Sequence, residues 1–172
     1  PKGDPPGFTL VLDDTTIVCR CGKIGCLEAV VGGAALAREA AAAAADGRSP
    51  FLAEAALDGH RLEARDVARA AEFGDPIGVD LLTRTGRLVG KTLASIVNFF
   101  NPSHVFVGGG VTRIGPLFLA SLRQCVYQRS LALSVRPAGT SLSLVVDLRG
   151  EFPPGAERNF RTLVHSMGQA PL

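Results

Sequence analysis

The chain has 172 residues, of which 47% are hydrophobic, and its 18 basic and 16 acidic side chains nearly cancel. The length corresponds to one domain, and the apolar content is sufficient for a buried core, which excludes an intrinsically disordered chain. The balanced charge gives no indication of a nucleic-acid or membrane surface, and no apolar run is long enough to span a bilayer. Because no basic-then-apolar leader opens the chain, we expect a cytoplasmic protein.

Short apolar runs and alanine-rich stretches predict strands that alternate with helices. The predicted elements, in chain order, are a strand at 8–12, a strand at 16–18, a helix at 27–45, helices at 51–57 and 64–71, a long buried helix at 75–99, a strand at 105–107, a helix at 114–127 and a strand at 142–146. The clearest helix start is Asp75-Pro76, which combines an acidic N-cap with proline at the first helical position. This order predicts a layered α/β domain.

Three of the four cysteines, Cys19, Cys21 and Cys26, fall within eight residues, whereas Cys125 stands alone. Zinc prefers a tetrahedron of thiolate and imidazole ligands, and glycines in the loop, here Gly22 and Gly25, allow the backbone to curl until the sulfurs converge. The spacing therefore predicts a metal site in a reducing compartment, and unrelated free thiols are the alternative. Cys125 is predicted to be an inert buried thiol on a helix.

The run Cys19-Arg20-Cys21-Gly22-Lys23-Ile24-Gly25-Cys26-Leu27-Glu28 resembles the ROK family signature CxCGxxGCxE. The segments 74–76, 98–102 and 105–110 also resemble ROK segments, in the family's order. The resemblance covers residues 8–136 and leaves 137–172 as a poorly matched tail. It implies that residues 1–172 form the C-terminal lobe of an actin-like (ribonuclease H-like) ATPase fold with a zinc-binding loop and several helices.

In the family, zinc is bound by the three cysteines, here Cys19, Cys21 and Cys26, and by a histidine from a Gly-His pair upstream. At the matching place this chain has Gly7-Phe8-Thr9, and no histidine precedes Cys19. A phenylalanine cannot bind a metal ion, so the resemblance implies zinc that is weakened, completed by water or lost. The remaining histidines are expected to be surface or capping residues: His60, His104 and His165.

Glu28 matches the family's glutamate that hydrogen-bonds sugar hydroxyls, a task that suits a carboxylate with two acceptor oxygens. The alternative is an acidic residue in the first turn of a helix, stabilised by the helix dipole. The turn Gly108-Gly109-Gly110 follows a predicted strand, and in ROK kinases this turn lies against the adenosine of ATP. By itself, a glycine-rich turn also fits a simple change of chain direction.

The phosphate-binding Asp-Gly-Thr loop and the catalytic aspartate of ROK kinases precede the cysteine motif, and this chain begins almost at that motif. No catalytic residue is therefore assigned, and the chain alone is not expected to be an enzyme. Segments 98–103 and 126–133 look more like those of actinobacterial ROK regulators than of glucokinases. The resemblance thus implies a fragment of a sugar-sensing transcriptional regulator.

Such a regulator binds a sugar or sugar phosphate effector as a homo-oligomer, and it binds DNA through an N-terminal domain that this chain lacks. The first alternative is the C-terminal lobe of an ATP-dependent, glucokinase-like ROK kinase. The second alternative is a zinc-knuckle interaction module, although the long buried helix argues against it.

Overall fold

The computed structural model describes residues 16–100, 102, 104–107, 114–130 and 143–146. The chain divides into two compact units, Pro1–Val30 with Leu148–Leu172, and Val31–Asp147. In chain order, the elements are α1 (Leu27–Val31), α2 (Gly33–Ala45), α3 (Pro50–Ala55), a 3-10 helix (Leu57–Gly59), α4 (Ala64–Glu72), α5 (Pro76–Phe100), β1 (His104–Val107), α6 (Pro116–Arg129) and β2 (Ser143–Val146). Helices make up most of the described residues, and none of them has the length and apolarity that crossing a membrane requires.

The single helix predicted over 27–45 is in fact two helices, α1 and α2, which are separated at Gly32. Gly32 has an extended conformation (φ −69°, ψ 168°) and is the N-cap of α2. Two consecutive glycines, Gly32 and Gly33, lower helix propensity enough to interrupt an otherwise alanine-rich helix. The strand predicted at 16–18 is only an isolated antiparallel bridge between Val18 and Ile24. The strand predicted at 8–12 lies outside the described residues.

The predicted start of the long helix at Asp75-Pro76 is confirmed, since α5 begins at Pro76. Oδ1 of Asp75 accepts hydrogen bonds from the backbone amides of Ile77 (3.0 Å) and Gly78 (2.9 Å), which have no partner inside the helix. Ser49 has the same role at the start of α3, where its Oγ accepts from the amide of Leu52 at 3.1 Å. Both caps are buried.

The main core of the second unit lies around α5, whose small and apolar residues pack against α6. A Cβ atom built on Gly86 would lie 2.6 Å from the carbonyl oxygen of Phe118, and one on Gly90 would lie 2.6 Å from the Cβ of Cys125. The two glycines are therefore required for the close approach of these helices. Because the contacts advance together along both helices, α5 and α6 run in the same direction. Large side chains that are fully buried here include Leu82, Val97, Phe118, Leu122 and Val126.

The strands β1 and β2 pair in parallel, from His104 opposite Ser143 to Val107 opposite Val146. A parallel pair needs a crossover connection, and α6 lies in the segment that joins the two strands. The strand–helix–strand order agrees with the α/β class predicted from the sequence. The buried position of Cys125 on α6 also agrees with the prediction, and its Sγ donates to the carbonyl oxygen of Arg87 at 3.3 Å.

Candidate metal centre

The first two cysteines lie on a tight hairpin whose ends are joined by the bridge between Val18 and Ile24. The amide of Cys19 donates to the carbonyl of Lys23 at 2.7 Å, and the amide of Gly22 donates to the carbonyl of Cys19 at 2.9 Å. These bonds leave a three-residue loop whose last residue, Gly22, has φ +84°. Glycine adopts this left-handed conformation without strain, which is why it suits the third position of such a loop.

The chain after the hairpin returns the third cysteine to the other two. Gly25, with φ +75°, donates its amide to the carbonyl of Ile17 at 2.9 Å, and Cys26 follows directly. The sulfur atoms of Cys19, Cys21 and Cys26 all lie within 4.8 Å of one another. The convergence predicted from the spacing is therefore present in the folded loop.

The geometry of the three sulfurs suits a tetrahedral metal ion. Bonds of about 2.3 Å from zinc to each thiolate place the sulfurs about 3.8 Å apart. The Sγ atoms of Cys21 and Cys26 are 3.4 Å apart, so only small side-chain adjustments separate the cluster from this arrangement. Soft thiolates in this number are a donor set that favours zinc over magnesium or calcium. The residues present therefore fit the zinc ion that the resemblance implies.

The thiols of Cys21 and Cys26 differ in their pKa. A hydrogen bond from the Lys23 backbone and hydrogen bonds within the cluster lower the pKa of the exposed Cys21 thiol. Burial, with further contributions from its two neighbouring thiols, raises the pKa of Cys26 to about 12. Cys21 thus becomes a thiolate at a lower pH than Cys26, and Cys26 has to be deprotonated by the metal itself.

Among the described residues, no histidine or acidic side chain joins the three sulfurs as a fourth ligand. Phe8, the residue expected from the resemblance in the place of the family's histidine, lies outside those residues, as do His165 and the side chain of His104. His60 lies in the second unit, where its Nε2 is 3.1 Å from Oδ2 of Asp66 at the start of α4. His60 therefore contacts the carboxylate of Asp66, which itself accepts a hydrogen bond from the backbone amide of Glu63 at 2.8 Å. Burial raises the pKa of Asp66, but hydrogen bonds from Glu63 and His60 outweigh it and lower the pKa overall.

The predicted sugar contact, Glu28, lies in the first turn of α1, two residues after Cys26. Its side chain is 78% exposed, and its Oε1 accepts a 3.3 Å hydrogen bond from Nη2 of Arg20 in the hairpin loop. Arg20 could not be predicted from the sequence, because it stands at a variable position of the motif and no spacing rule relates it to Glu28. The turn Gly108-Gly109-Gly110 lies outside the described residues, between the end of β1 and the start of α6 at Pro116.

A family model described as "ROK family" matches residues 7–138, more than half of the chain. The chain belongs to the ROK family. The match ends close to the point where the resemblance read from the sequence fades, and the solved ROK structures to which the chain is similar have the actin-like ATPase fold.

Relatives of this ROK chain include both enzymes and regulators. A glucokinase from Halalkalibacterium halodurans is 31% identical over 119 residues, which are 69% of this chain and 36% of the relative. The DNA-binding transcriptional dual regulator NagC of Escherichia coli is 27% identical over 113 residues, 66% of this chain and 27% of the relative. A crystal structure of a ROK family transcriptional regulator, a homologue of the E. coli Mlc protein, matches with a TM-score of 0.68 and 27% identity over 94% of this chain. The chain thus spans 36% and 27% of the two sequence relatives and 39% of that regulator.

Proposed function

We propose that this ROK chain is the C-terminal lobe of a longer transcriptional regulator and provides part of its sugar-sensing site. Support for the regulator comes from a solved ROK regulator that superposes on 94% of the chain with a TM-score of 0.68, although a solved ROK glucokinase also superposes on 80% of it with a TM-score of 0.65. In the regulator, DNA is bound by an N-terminal domain outside this chain, and the sensing lobe acts within a homo-oligomer.

The sugar contact is assigned to Glu28, and the observation that carries this assignment is its exposed carboxylate beside the cysteine loop. A carboxylate has two oxygens with which it accepts hydrogen bonds from neighbouring hydroxyls of a sugar ring. The alternative role, stabilisation of a helix dipole, is weak in this position. The dipole arises from aligned peptide units, and α1 has only five residues.

The cysteine loop positions Glu28. Cys26 is buried and precedes Glu28 by two residues, so the placement of its sulfur restricts the first turn of α1. When bound, zinc supplies a structural cross-link between the sulfurs of Cys19, Cys21 and Cys26. The hairpin hydrogen bonds of Cys19 and Gly22 hold the loop in the conformation that this cross-link requires. Glu28 is thereby presented to the sugar in one orientation.

A sugar-responsive regulator requires that the sugar bind the DNA-releasing state more tightly than the DNA-bound state. Contact with Glu28 links the sugar to α1, and Gly32 separates α1 from the alanine-rich α2. We propose that sugar binding changes the conformation of the chain at this junction. This change would then alter the geometry of the dimer.

The test is substitution of Glu28 by alanine in the intact protein encoded by the gene. We expect Glu28→Ala to abolish the response of operator binding to sugar while operator binding itself is kept, as measured by fluorescence anisotropy of a labelled operator. Glu72→Ala is the matched control, because Glu72 is also an exposed carboxylate but lies at the end of α4. An unchanged sugar response in Glu28→Ala removes Glu28 from the mechanism.

A ROK sugar kinase is the second candidate, and the 31% identity with a glucokinase favours it. In that case Glu28 binds the sugar that is phosphorylated, and the phosphate loop and the aspartate general base come from outside this chain. Assays of the intact protein distinguish the two candidate functions. ATP-dependent phosphorylation of glucose supports the kinase, and specific binding to an operator supports the regulator. The purified chain of 172 residues is expected to phosphorylate no sugar in either case.

A further inference from the structure

An arginine lies directly beside the proposed sugar contact. Nη2 of Arg20 is 3.3 Å from Oε1 of Glu28, and the two residues are eight positions apart in the chain. Arg20 is in the three-residue loop of the cysteine hairpin, and Glu28 is in the first turn of α1. Both residues belong to the same compact unit, so their pairing is a local property of the cysteine loop.

The pair contributes little to the stability of the fold. The side chain of Arg20 is 92% exposed and that of Glu28 is 78% exposed. Water and salt screen an ion pair of this kind, and its two side chains lose conformational freedom when they pair. A role in ligand recognition therefore explains the position of Arg20 better than a role in folding.

The exposed pair leaves both kinds of hydrogen-bonding group available to a ligand. A guanidinium has five N–H donors in one plane, and within the described part of the chain one of them is bonded to Glu28. The carboxylate of Glu28 accepts that bond with Oε1 and keeps Oε2 for other donors. Hydrogen-bond donors of Arg20 thus lie next to an acceptor of Glu28, at the distance of one hydrogen bond.

We propose that Arg20 is a specificity-determining residue that donates a hydrogen bond to a second sugar hydroxyl, beside the hydroxyl bound by Glu28. This inference rests on the proposed function of Glu28. Two hydroxyls on adjacent ring carbons match the pair, because one donates to Oε2 of Glu28 while its neighbour accepts from the guanidinium of Arg20. The ligand class is therefore a sugar with an unblocked vicinal diol, and a sugar that lacks or has alkylated either hydroxyl is discriminated against.

The experiment measures the dissociation constants of the intact protein by isothermal titration calorimetry. The probes are D-glucose, D-galactose, D-mannose and N-acetyl-D-glucosamine, followed by the monodeoxy analogues of the sugar that binds most tightly. The variants are Arg20→Ala, Arg20→Lys and Glu28→Ala. Lys23→Ala is the matched control, because Lys23 is an exposed cation of the same hairpin. Thermal unfolding of each variant verifies that the fold is kept.

We expect Arg20→Ala to weaken binding of the parent sugar by about tenfold or more, the loss that accompanies removal of a hydrogen bond to a charged group. For one deoxy analogue the same substitution should have almost no further effect, because the hydroxyl that Arg20 contacts is already missing. Arg20→Lys should keep part of the affinity, and Lys23→Ala should keep all of it.

Equal losses for the parent sugar and for every deoxy analogue overturn the inference, since Arg20 then contacts no hydroxyl. Unchanged affinity in Arg20→Ala together with lost affinity in Glu28→Ala overturns the inference and leaves the proposed function standing. If none of the four sugars binds the unsubstituted protein, the proposed function fails, and the role of Arg20 fails with it.

Discussion

The hydroxyl of Ser49 donates a 2.8 Å hydrogen bond to Oδ2 of Asp75, so that the caps of two helices bind each other. Ser49 caps α3 and Asp75 caps α5, and both are buried although they are 26 positions apart in the chain. The N-terminus of α5, the long helix at the centre of the core, therefore contacts the N-terminus of α3. This contact fixes α5 relative to α3.

Loss of this contact should destabilise the second unit strongly. Asp75→Ala removes the cap of α5, worth about 1–2 kcal/mol, and leaves the buried Ser49 hydroxyl without its acceptor, which costs about 1–3 kcal/mol more. Asp80→Ala, at an exposed position of the same helix, should change stability by less than about 0.5 kcal/mol. Urea unfolding followed by circular dichroism measures both. Equal stability of the two variants would contradict the buried cap.

Close packing of α5 on α6 should make its glycines intolerant of alanine. In an exposed helix, replacing glycine by alanine stabilises by about 1 kcal/mol. In Gly90→Ala the added methyl group would lie 2.6 Å from the Cβ of Cys125, and the strain of overpacking, about 1–3 kcal/mol, should outweigh that gain. Gly33→Ala is the control, because a methyl group there would be 3.8 Å from the nearest side-chain atom, Cβ of Ala64.

The midpoint temperatures of thermal unfolding of the two variants test this prediction. Gly90→Ala should unfold at a lower temperature than the unsubstituted protein, and Gly33→Ala at the same or a higher temperature. A Gly90→Ala protein as stable as the Gly33→Ala protein would show that the two helices move apart easily.

Binding of zinc to the cysteine loop should release protons. Only thiolates bind the metal, and in its absence the pKa of Cys26 is about 12, so this thiol is protonated throughout the neutral range. Its proton is lost on binding at every pH below about 12, and zinc affinity should therefore rise with pH across neutrality. The thiol of Cys21 contributes to this rise only up to its lowered pKa.

Calorimetric titration with zinc in buffers of different ionisation enthalpy measures the released protons directly. The observed heat should depend on the buffer, and Cys26→Ser should reduce the number of protons released. Heat that is the same in all buffers would show that the three thiols do not bind the ion as thiolates.

A fourth ligand should strengthen the metal site. The resemblance predicts that the phenylalanine of Gly7-Phe8-Thr9 takes the place of the family's upstream histidine. Phe8→His, or Thr9→His for a register shifted by one residue, should therefore raise zinc retention against a chelator. Metal content after dialysis against EDTA gives the measurement. Phe73→His, a substitution at an exposed phenylalanine of the second unit, controls for the mere addition of an imidazole. If neither histidine changes retention, a different group completes the site.

Local sequence alone determined the cysteine cluster and the start of the long helix. The three sulfurs converge because hydrogen bonds and left-handed glycines act within a few residues of the cysteines. Asp75-Pro76 starts α5 for an equally local reason, since a carboxylate satisfies the free amides of the first turn. The family and its α/β class followed from such local signals taken in chain order. The break at Gly32 was not predicted, because the alanine-rich sequence around it favours one continuous helix, whereas the extended backbone of Gly32 separates α1 from α2.

Contacts between distant residues were decided only by the tertiary structure. The glycines of α5 read in the sequence as weak helix formers, and only the approach of α6 shows that Gly86 and Gly90 are needed there. The hydrogen bond from Ser49 to Asp75 likewise depends on how α3 and α5 are packed. Arg20 became visible beside Glu28 only once the hairpin was folded. The spacing of residues along the chain predicts which side chains a turn brings together. Contacts between residues of different helices follow no sequence period, so they are set by how the helices pack.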